Sequence, residues 1–370
     1  MSSLEVLYIN NFRNFSNQSI NPSHKINFLF GDNAEGKSNF IESLYYLGHN
    51  KSFRTSRTSD VIQFNKKEFQ IAAKTKNNTI KINKSNTNFK ILIDDQKIKN
   101  SSELSQIVPI QLITPDKGFI VNGQPKQKRY YIDWGVFHVK REFSKTIIDY
   151  KKCLSNIYLL AKKNQKDQLE YWIEALSGYA YEVNKNRVKY LEEIRKEKDI
   201  IVRVFQEDLN NLNLDLDFKY RNGWSFNQNI SSREEIRDSY LSNIDYLLKN
   251  KQFQYGPSKA TLDFVLGEKK ENFLSRGEQK TLSIIFWLTQ IVHLMKYNKK
   301  PILLIDDLVS ELDDKKIEIL LNFLQKLDIQ VFITNIKESE QFQGFENSKL
   351  FIIQKGEITE NNQKKPPLKP

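Results

Sequence analysis

The chain has 370 residues with 39% apolar content, enough for a sizeable core and two or three domains, and no apolar run long enough to span a bilayer. A single cysteine, Cys153, excludes an internal disulfide or a multi-cysteine zinc site, and the first residues lack the basic-then-apolar pattern of a secretory signal, so a cytoplasmic protein is expected. The net charge of +12 favours a polyanionic partner, because lysine and arginine gain by displacing counterions from phosphates.

In chain order, residues 4–9 and 26–30 predict two strands joined by a polar turn at Asn21-Pro22. The second strand is apolar throughout and runs into Gly31. Residues 38–47 carry Ile41, Leu44, Tyr45 and Leu47 at helical spacing, and Gly48 is expected to end that helix. From 61 to 98 short runs alternate apolar and polar residues, with a hairpin turn at Asp94-Asp95-Gln96, which predicts an antiparallel sheet. Residues 107–113 read as one more strand. Between about 137 and 209 there is a single glycine and no proline, and Leu169, Trp172, Ile173, Leu176, Ala180 and Val183 mark one helical face. A helical domain is expected there, followed by a strand alternating Leu212, Leu214, Leu216, Phe218 and Tyr220. After about Tyr255 strand and helix alternate again: a helix over 281–295, a strand over 302–305, a helix over 315–327 and a strand over 331–334. The expected organisation is a split α/β head (1–130 and 250–360), an inserted helical domain (131–249) and a disordered tail (361–370).

Gly31-Asp32-Asn33-Ala34-Glu35-Gly36-Lys37-Ser38 matches G-x-x-x-x-G-K-[ST], with Asn39 just beyond, between an apolar strand and a helix. The glycines let successive N–H groups turn inward as an anion nest, and the helix points its positive end at the same place. Lys37 would lie between the β- and γ-phosphates of ATP, and Ser38 would hold magnesium. Pro301-Ile302-Leu303-Leu304-Ile305-Asp306-Asp307 is an apolar strand ending in acids. Asp306 would contact the metal, usually through water, and Asp307 would orient or deprotonate the attacking water. In Leu274-Ser275-Arg276-Gly277-Glu278-Gln279-Lys280, Ser275 can cap the helix that follows and Gly277 admits a phosphate close to the backbone.

Phosphate loop first, this segment second and the paired aspartates third: that order resembles the ABC-type ATPase heads of the SMC, Rad50 and RecF class. The resemblance implies an ABC-type P-loop head with an appended antiparallel sheet. It further implies that the segment from Leu274 completes the nucleotide site of a second subunit. Ser310-Glu311-Leu312-Asp313 then falls where the class has its D-loop, bringing Asp313 toward the nucleotide. Gln111 falls where a glutamine contacts metal or water. The RecF family resembles the chain over nearly its whole length. The shared stretches include Asn11-Phe12-Arg13-Asn14, Ser52-Phe53-Arg54, Gln111-Leu112-Ile113-Thr114-Pro115, Ile132-Asp133-Trp134-Gly135 and Tyr255-Gly256-Pro257. This implies ATP-induced dimerisation on DNA at single-strand/double-strand junctions, slow hydrolysis, roles in repair, replication and the SOS response, and RecR, RecO and RecA as partners. Three departures stand out. Ala34 occupies a position often glycine, a change that should be tolerable if the residue keeps φ below zero. Glu278 replaces a glutamine, and Asn335 stands where many heads carry a histidine, so any sensing there must use hydrogen bonds rather than a general base.

Lys51-Ser52-Phe53-Arg54-Thr55-Ser56-Arg57 and Lys126-Gln127-Lys128-Arg129-Tyr130-Tyr131 set positive charge beside aromatic rings, as a DNA backbone requires, against the plainer alternative of a solvated basic surface. Lys51, Arg57, Lys126, Lys128 and Arg129 are the candidate DNA contacts, while Arg54 has the alternative of the nucleotide phosphates. His138 is expected to be structural. Two rival functions share the phosphate loop. A small-molecule kinase has no use for the Ser275 segment, and an SMC-like chromosome ATPase needs a far longer coiled-coil arm than this chain can supply.

Overall fold

The computed structural model describes residues 3–98, 101–114, 119–205, 215–225, 232–307, 312–335, 342 and 344–361. The chain opens with strands β1 (Leu4–Asn10), β2 (Gln18–Ile20) and β3 (Ile26–Phe30) and helix α1 (Lys37–His49). Strands β4 (Glu68–Thr75), β5 (Thr79–Ser85), β6 (Phe89–Ile93) and β7 (Gln96–Lys97) follow, then α2 (Ser101–Ile107) and β8 (Ile110–Ile113). The helices α3 (Pro125–Val139), α4 (Phe143–Lys162) and α5 (Leu169–Phe205) precede β9 (Leu216–Arg221), α6 (Arg233–Leu241) and α7 (Ile244–Asn250). The remainder is β10 (Thr261–Leu266), β11 (Lys269–Lys270), α8 (Arg276–Lys296), β12 (Ile302–Ile305), α9 (Asp314–Lys326), β13 (Val331–Asn335), β14 (Ser348–Gln354) and β15 (Glu357–Glu360).

Two compact units emerge: residues 1–119, 203–210 and 294–370 form one, and residues 120–202 and 211–293 the other. Residues 250–293, which the sequence assigns to the head, thus fall in the second unit. Leu212, Leu214, Ser310, Glu311 and the tail from 362 lie outside the described residues.

The first unit has two sheets. One is antiparallel, in the order β2-β1-β4-β5-β6-β7, and is the sheet expected from the alternating pattern; Asp94 and Asp95 make its β6–β7 turn at φ 51° and 60°. The other runs β15-β14-β3-β13-β12-β8, with β14, β3, β13, β12 and β8 parallel. Strands buried on both faces need continuous apolar sequence, and Ile-Asn-Phe-Leu-Phe of β3 and Ile-Leu-Leu-Ile of β12 are buried at every position. α1 shares one core with both sheets: Phe40, Ile41, Leu44 and Leu47 join Leu29, Leu304 and Phe332 of the parallel sheet and Leu7, Phe69, Ile71 and Ile82 of the antiparallel one. The helix is enclosed nearly all round, and its polar residues Lys37, Glu42 and Ser43 are buried with its apolar ones, the Glu42 carboxylate paired with Arg13 and the Ser43 hydroxyl bonded to the Phe40 carbonyl. Gly48 does not end α1. It is buried within the helix, where an added Cβ would lie 2.8 Å from Ile110, and the chain turns out at Asn50, φ 51°. The glycine serves close packing, and asparagine, tolerant of the left-handed region, serves the stop.

In the second unit β9, β10 and β11 form an antiparallel sheet and α3, α5 and α8 carry most of the core. Arg187 of α5 is 2% exposed; it donates to both oxygens of Asp133 on α3 at 2.8 and 3.0 Å and to the carbonyl of Pro257 at 2.7 Å. This pair ties together two of the motifs named above. An unpaired guanidinium at this depth would be costly. Asp133→Asn should lower the urea-unfolding free energy by about 3 kcal/mol, whereas Asp133→Leu combined with Arg187→Met should cost much less. Equal losses for the two variants would contradict the pair's electrostatic role.

Candidate functional site

The phosphate loop leaves the carboxyl end of β3 and enters α1. Gly36, the N-cap, sits at φ 122° with no side-chain cap, and no acid stands in the first turn. The first N–H groups of α1 are therefore left for an anion. The loop is held from outside by side chains that the motif does not contain. Asn14 Nδ2 donates to the carbonyl of Glu35 at 2.9 Å, and a Cβ on Gly36 would lie 2.6 Å from the same Nδ2. The β14–β15 turn closes the other side: Lys355 N donates to the Glu35 carboxylate, and Gly356 N to the Glu35 carbonyl at 3.3 Å. Gly31 passes so close to β14 that a Cβ would meet the carbonyl oxygen of Ile353 at 2.3 Å.

Ala34 does not meet the condition of a negative φ: its φ is +68°, in the left-handed region. The clamps at Asn14 and Lys355 dictate the loop's path, and alanine bears the steric cost.

Lys37 is buried and its ammonium donates to the carbonyls of Gly31 at 2.6 Å and Asp32 at 2.9 Å. Burial lowers its pKa, with Asp307, Asp306, Asp32 and Glu35 opposing. Two strands over, Asp306 is buried at the end of β12 while Asp307 is exposed. Ser38 Oγ donates to Asp306 Oδ1 at 3.2 Å, and Thr334 Oγ1, on the intervening β13, donates to the same oxygen at 2.9 Å. Thr334 Oγ1 also accepts from the backbone N–H of Asp307 at 2.8 Å, and Asp307 has φ 56°. Burial pushes the Asp306 carboxyl up, the two hydroxyls pull it down, Asp307 raises it and Arg54 lowers it; the net direction is upward. Such a carboxylate, crowded by low dielectric and a second acid, gains from a cation.

Other sequence candidates are placed less simply. Arg54 Nη1 donates to Asn39 Oδ1 at 2.7 Å, and Asn39 Nδ2 to Asn14 Oδ1 at 2.8 Å, so both are joined to the loop. Gln111 is buried, with Nε2 on the Leu112 carbonyl at 3.1 Å and Oε1 without a partner among the described residues. Its Cα pairs with Leu303, three residues before Asp306, so the register seats it behind the strand end rather than at it. Asp313 caps α9 through Lys316 N at 3.0 Å and also binds the Lys316 ammonium. Ser275 and Gly277 are both exposed at the start of α8. Glu278 N donates to Ser275 Oγ at 3.3 Å, and Ser275 N donates to Glu278 Oε2 at 2.6 Å, a reciprocal capping box. That gives the glutamate which replaces the usual glutamine a role within its own helix.

Among the candidate DNA contacts, Lys51, Arg57 and Lys126 are exposed. Lys128 is a correction: it is 3% exposed, its ammonium is bound by Glu271, and it lies 5.5 Å over the Phe264 ring, so it does not face solvent. Arg129 is half-buried and donates to the Ala260 carbonyl at 2.8 Å. His138 is buried against Trp134, with ring centroids 4.4 Å apart.

The RecF/RecN/SMC N terminal domain family matches residues 3–359. A DNA replication and repair protein RecF of Haemophilus influenzae is 31% identical over 371 residues, covering 96% of this chain and 99% of its own. The chain belongs to the RecF family. A second RecF relative, from Pseudoalteromonas atlantica, is 29% identical over 97% of this chain and 99% of its own. The solved RecF–ATP structure, of the recombination mediator in the RecFOR pathway, superposes with a TM-score of 0.83 at 25% identity and covers 97% of both chains. The family's mixed α/β ABC-type head is thus the fold of this chain. Among the described residues no helix is long and apolar enough to cross a membrane.

Thr334 and Asn14 also reach the site of this chain, although the motifs give neither a role there. A lone threonine in an apolar strand and an asparagine in a short loop carry too little local signal.

The strain at Ala34 is testable. A left-handed residue costs about 1–2 kcal/mol, against about 0.5–1 kcal/mol of added backbone entropy for glycine, so Ala34→Gly should stabilise the protein by roughly 0.5–1 kcal/mol in chemical denaturation. A loss of stability would show that the alanine methyl contributes packing that outweighs its backbone cost.

Proposed function

We propose that this RecF-family chain is an ATP-controlled DNA-binding protein of recombinational repair, in which ATP joins two copies on DNA. The observation that supports it most is the conjunction of an uncapped α1 start behind Gly36 with Ser38 and Asp306 linked by one hydrogen bond. The residues fit ATP and magnesium. Lys37 would exchange its two loop carbonyls for phosphate oxygens, and the free N–H groups of α1 would receive a phosphate. Ser38 and Asp306 would hold magnesium, Ser38 directly and Asp306 through water. When bound, magnesium supplies Lewis-acid polarisation of the phosphate to be released.

Asp307, exposed beside this point, would orient a water for slow hydrolysis. Thr334 holds its backbone, and Asn335, next along the strand, offers hydrogen bonds but no base. The chain is then a weak ATPase used as a switch. Ser275 and Gly277 are open to solvent, and a Cβ on Gly277 would meet nothing within 4 Å, so a phosphate held by another copy can approach that helix start. Asp313 would flank the same junction. Two composite sites would close around two ATP molecules, and loss of the γ-phosphate would reopen them. Lys51, Arg57, Lys126 and Arg129 would meet DNA. By resemblance to the family, the setting would be single-strand/double-strand junctions, with RecR and RecO as partners assisting RecA, in the cytoplasm.

Sedimentation with and without ATP tests the joining. Ser275→Arg should abolish the ATP-dependent dimer while leaving ATP binding to the monomer intact. Ser275→Asp, which preserves the helix cap but opposes the phosphate charge, should weaken the dimer as well. Dimerisation of both variants at the parent level would refute the role of this segment.

A further inference from the structure

A cleft of about 430 Å³ in the first unit is lined by the loop 51–58, Tyr46 of α1 and Lys84 of β5. Four cations border it, Lys51, Arg54, Arg57 and Lys84, and no carboxylate lines it. The nearby Asp60 accepts from Thr55 Oγ1 at 2.5 Å and Ser59 Oγ at 3.2 Å. Glu42, beneath the loop, is fully buried and already bound by Arg13 through two bonds of 2.8 Å. Arg54 Nη1 also lies 3.6 Å from Glu42 Oε2, so that cation is partly offset from beneath, while among the described residues no carboxylate lines the cleft itself.

Lys84 is the informative member. It is half-buried, its ammonium lies 5.1 Å over the Tyr46 ring and 3.3 Å from the Asn50 carbonyl, and among the described residues no carboxylate pairs with it. Burial lowers its pKa. A desolvated ammonium without a counter-ion is a cost that an arriving anion would offset. The walls are also held in place. Ser52 Oγ, bonded to Glu42, accepts from the backbone N–H groups of Arg54 at 2.8 Å and Thr55 at 3.0 Å. Asn39 holds the Arg54 guanidinium at 2.7 Å. Pre-fixed cations lose little entropy on binding.

We propose that this cleft seats a backbone phosphate of duplex DNA, with Lys84 and Arg54 as its inner cations and Lys51 and Arg57 at its mouth. The proposal rests on the DNA-binding reading above and names the surface that carries it. A phosphodiester fits because the lining offers cationic charge and hydroxyl donors, the groups that hold phosphate oxygens. A free nucleotide phosphate shares that chemistry and is separated from it below.

Fluorescence anisotropy with a short labelled duplex, in ATP and across a salt series, is the test. Each lost phosphate contact should flatten the log–log salt slope by about 0.9, so at ~0.2 M salt Lys84→Met should weaken binding roughly fourfold and Lys51→Gln with Lys84→Met roughly twentyfold. The charge-matched control Lys66→Gln with Lys67→Gln, both exposed on the same unit, should stay near the parent. Lys84→Met should unfold no earlier than the parent, because it removes a desolvated charge, so weakened DNA binding is not misfolding. Binding of a fluorescent ATP analogue should be unchanged in the cleft variants; its loss would assign the cleft to nucleotide and overturn the proposal. Parent-like DNA affinity and slope in the cleft variants would overturn the cleft alone. An equal loss in the control pair would show diffuse attraction and overturn it too. No DNA binding by the parent in any nucleotide state would take the underlying reading down with it.

Discussion

The site depends on one hydroxyl. In the parallel sheet the phosphate-loop strand β3 and the acidic strand β12 are not neighbours; β13 lies between them. At about 4.8 Å per strand the two functional ends are set roughly 10 Å apart at the backbone, and side chains must span that gap. Thr334 stands on the intervening strand end and does so. It donates to Asp306, accepts from the backbone of Asp307, and thereby fixes the buried acid against Ser38 and the exposed acid in a left-handed turn. Everything asked of magnesium and water at this place presupposes that geometry.

The loop on the other side of the gap is similarly over-determined. Asn14, Lys355 and Gly356 grip Glu35 from two directions, and Gly31 is pressed against β14. Those clamps explain why Ala34 tolerates a positive φ. A loop free to relax would not store that strain, and one held at both flanks keeps its N–H groups aimed before any ligand arrives. Arg54 and Asn39 extend the same network outward, so the phosphate loop and the basic cleft are parts of one hydrogen-bonded framework within the first unit.

What the sequence revealed was what is local. A strand, eight loop residues and a helix are contiguous, so their geometry follows from neighbours along the chain; the same holds for the apolar run ending in Asp306 and for the hairpin at Asp94-Asp95. What it concealed was set by distant contacts. Gly48 reads as a helix stop, and only the approach of Ile110 shows it to be a packing glycine. Lys128 reads as an exposed cation until Glu271, 143 residues away, is seen to bind it. Glu278 looks like damage to a motif and is instead half of a helix cap, legible in the Ser-x-x-Glu spacing from Ser275. The strands β14 and β15, which close over the loop, carried too little periodicity to be expected.

In the proposed switch, the nucleotide state governs attachment to DNA. DNA affinity measured with ATP, a non-hydrolysable analogue and ADP, for the parent and for Lys37→Ala, tests it directly. The parent should bind tightly with ATP and the analogue and weakly with ADP, and Lys37→Ala should bind weakly in all three. Equal affinity across the nucleotides, or a Lys37→Ala protein that binds as the parent does, would contradict it.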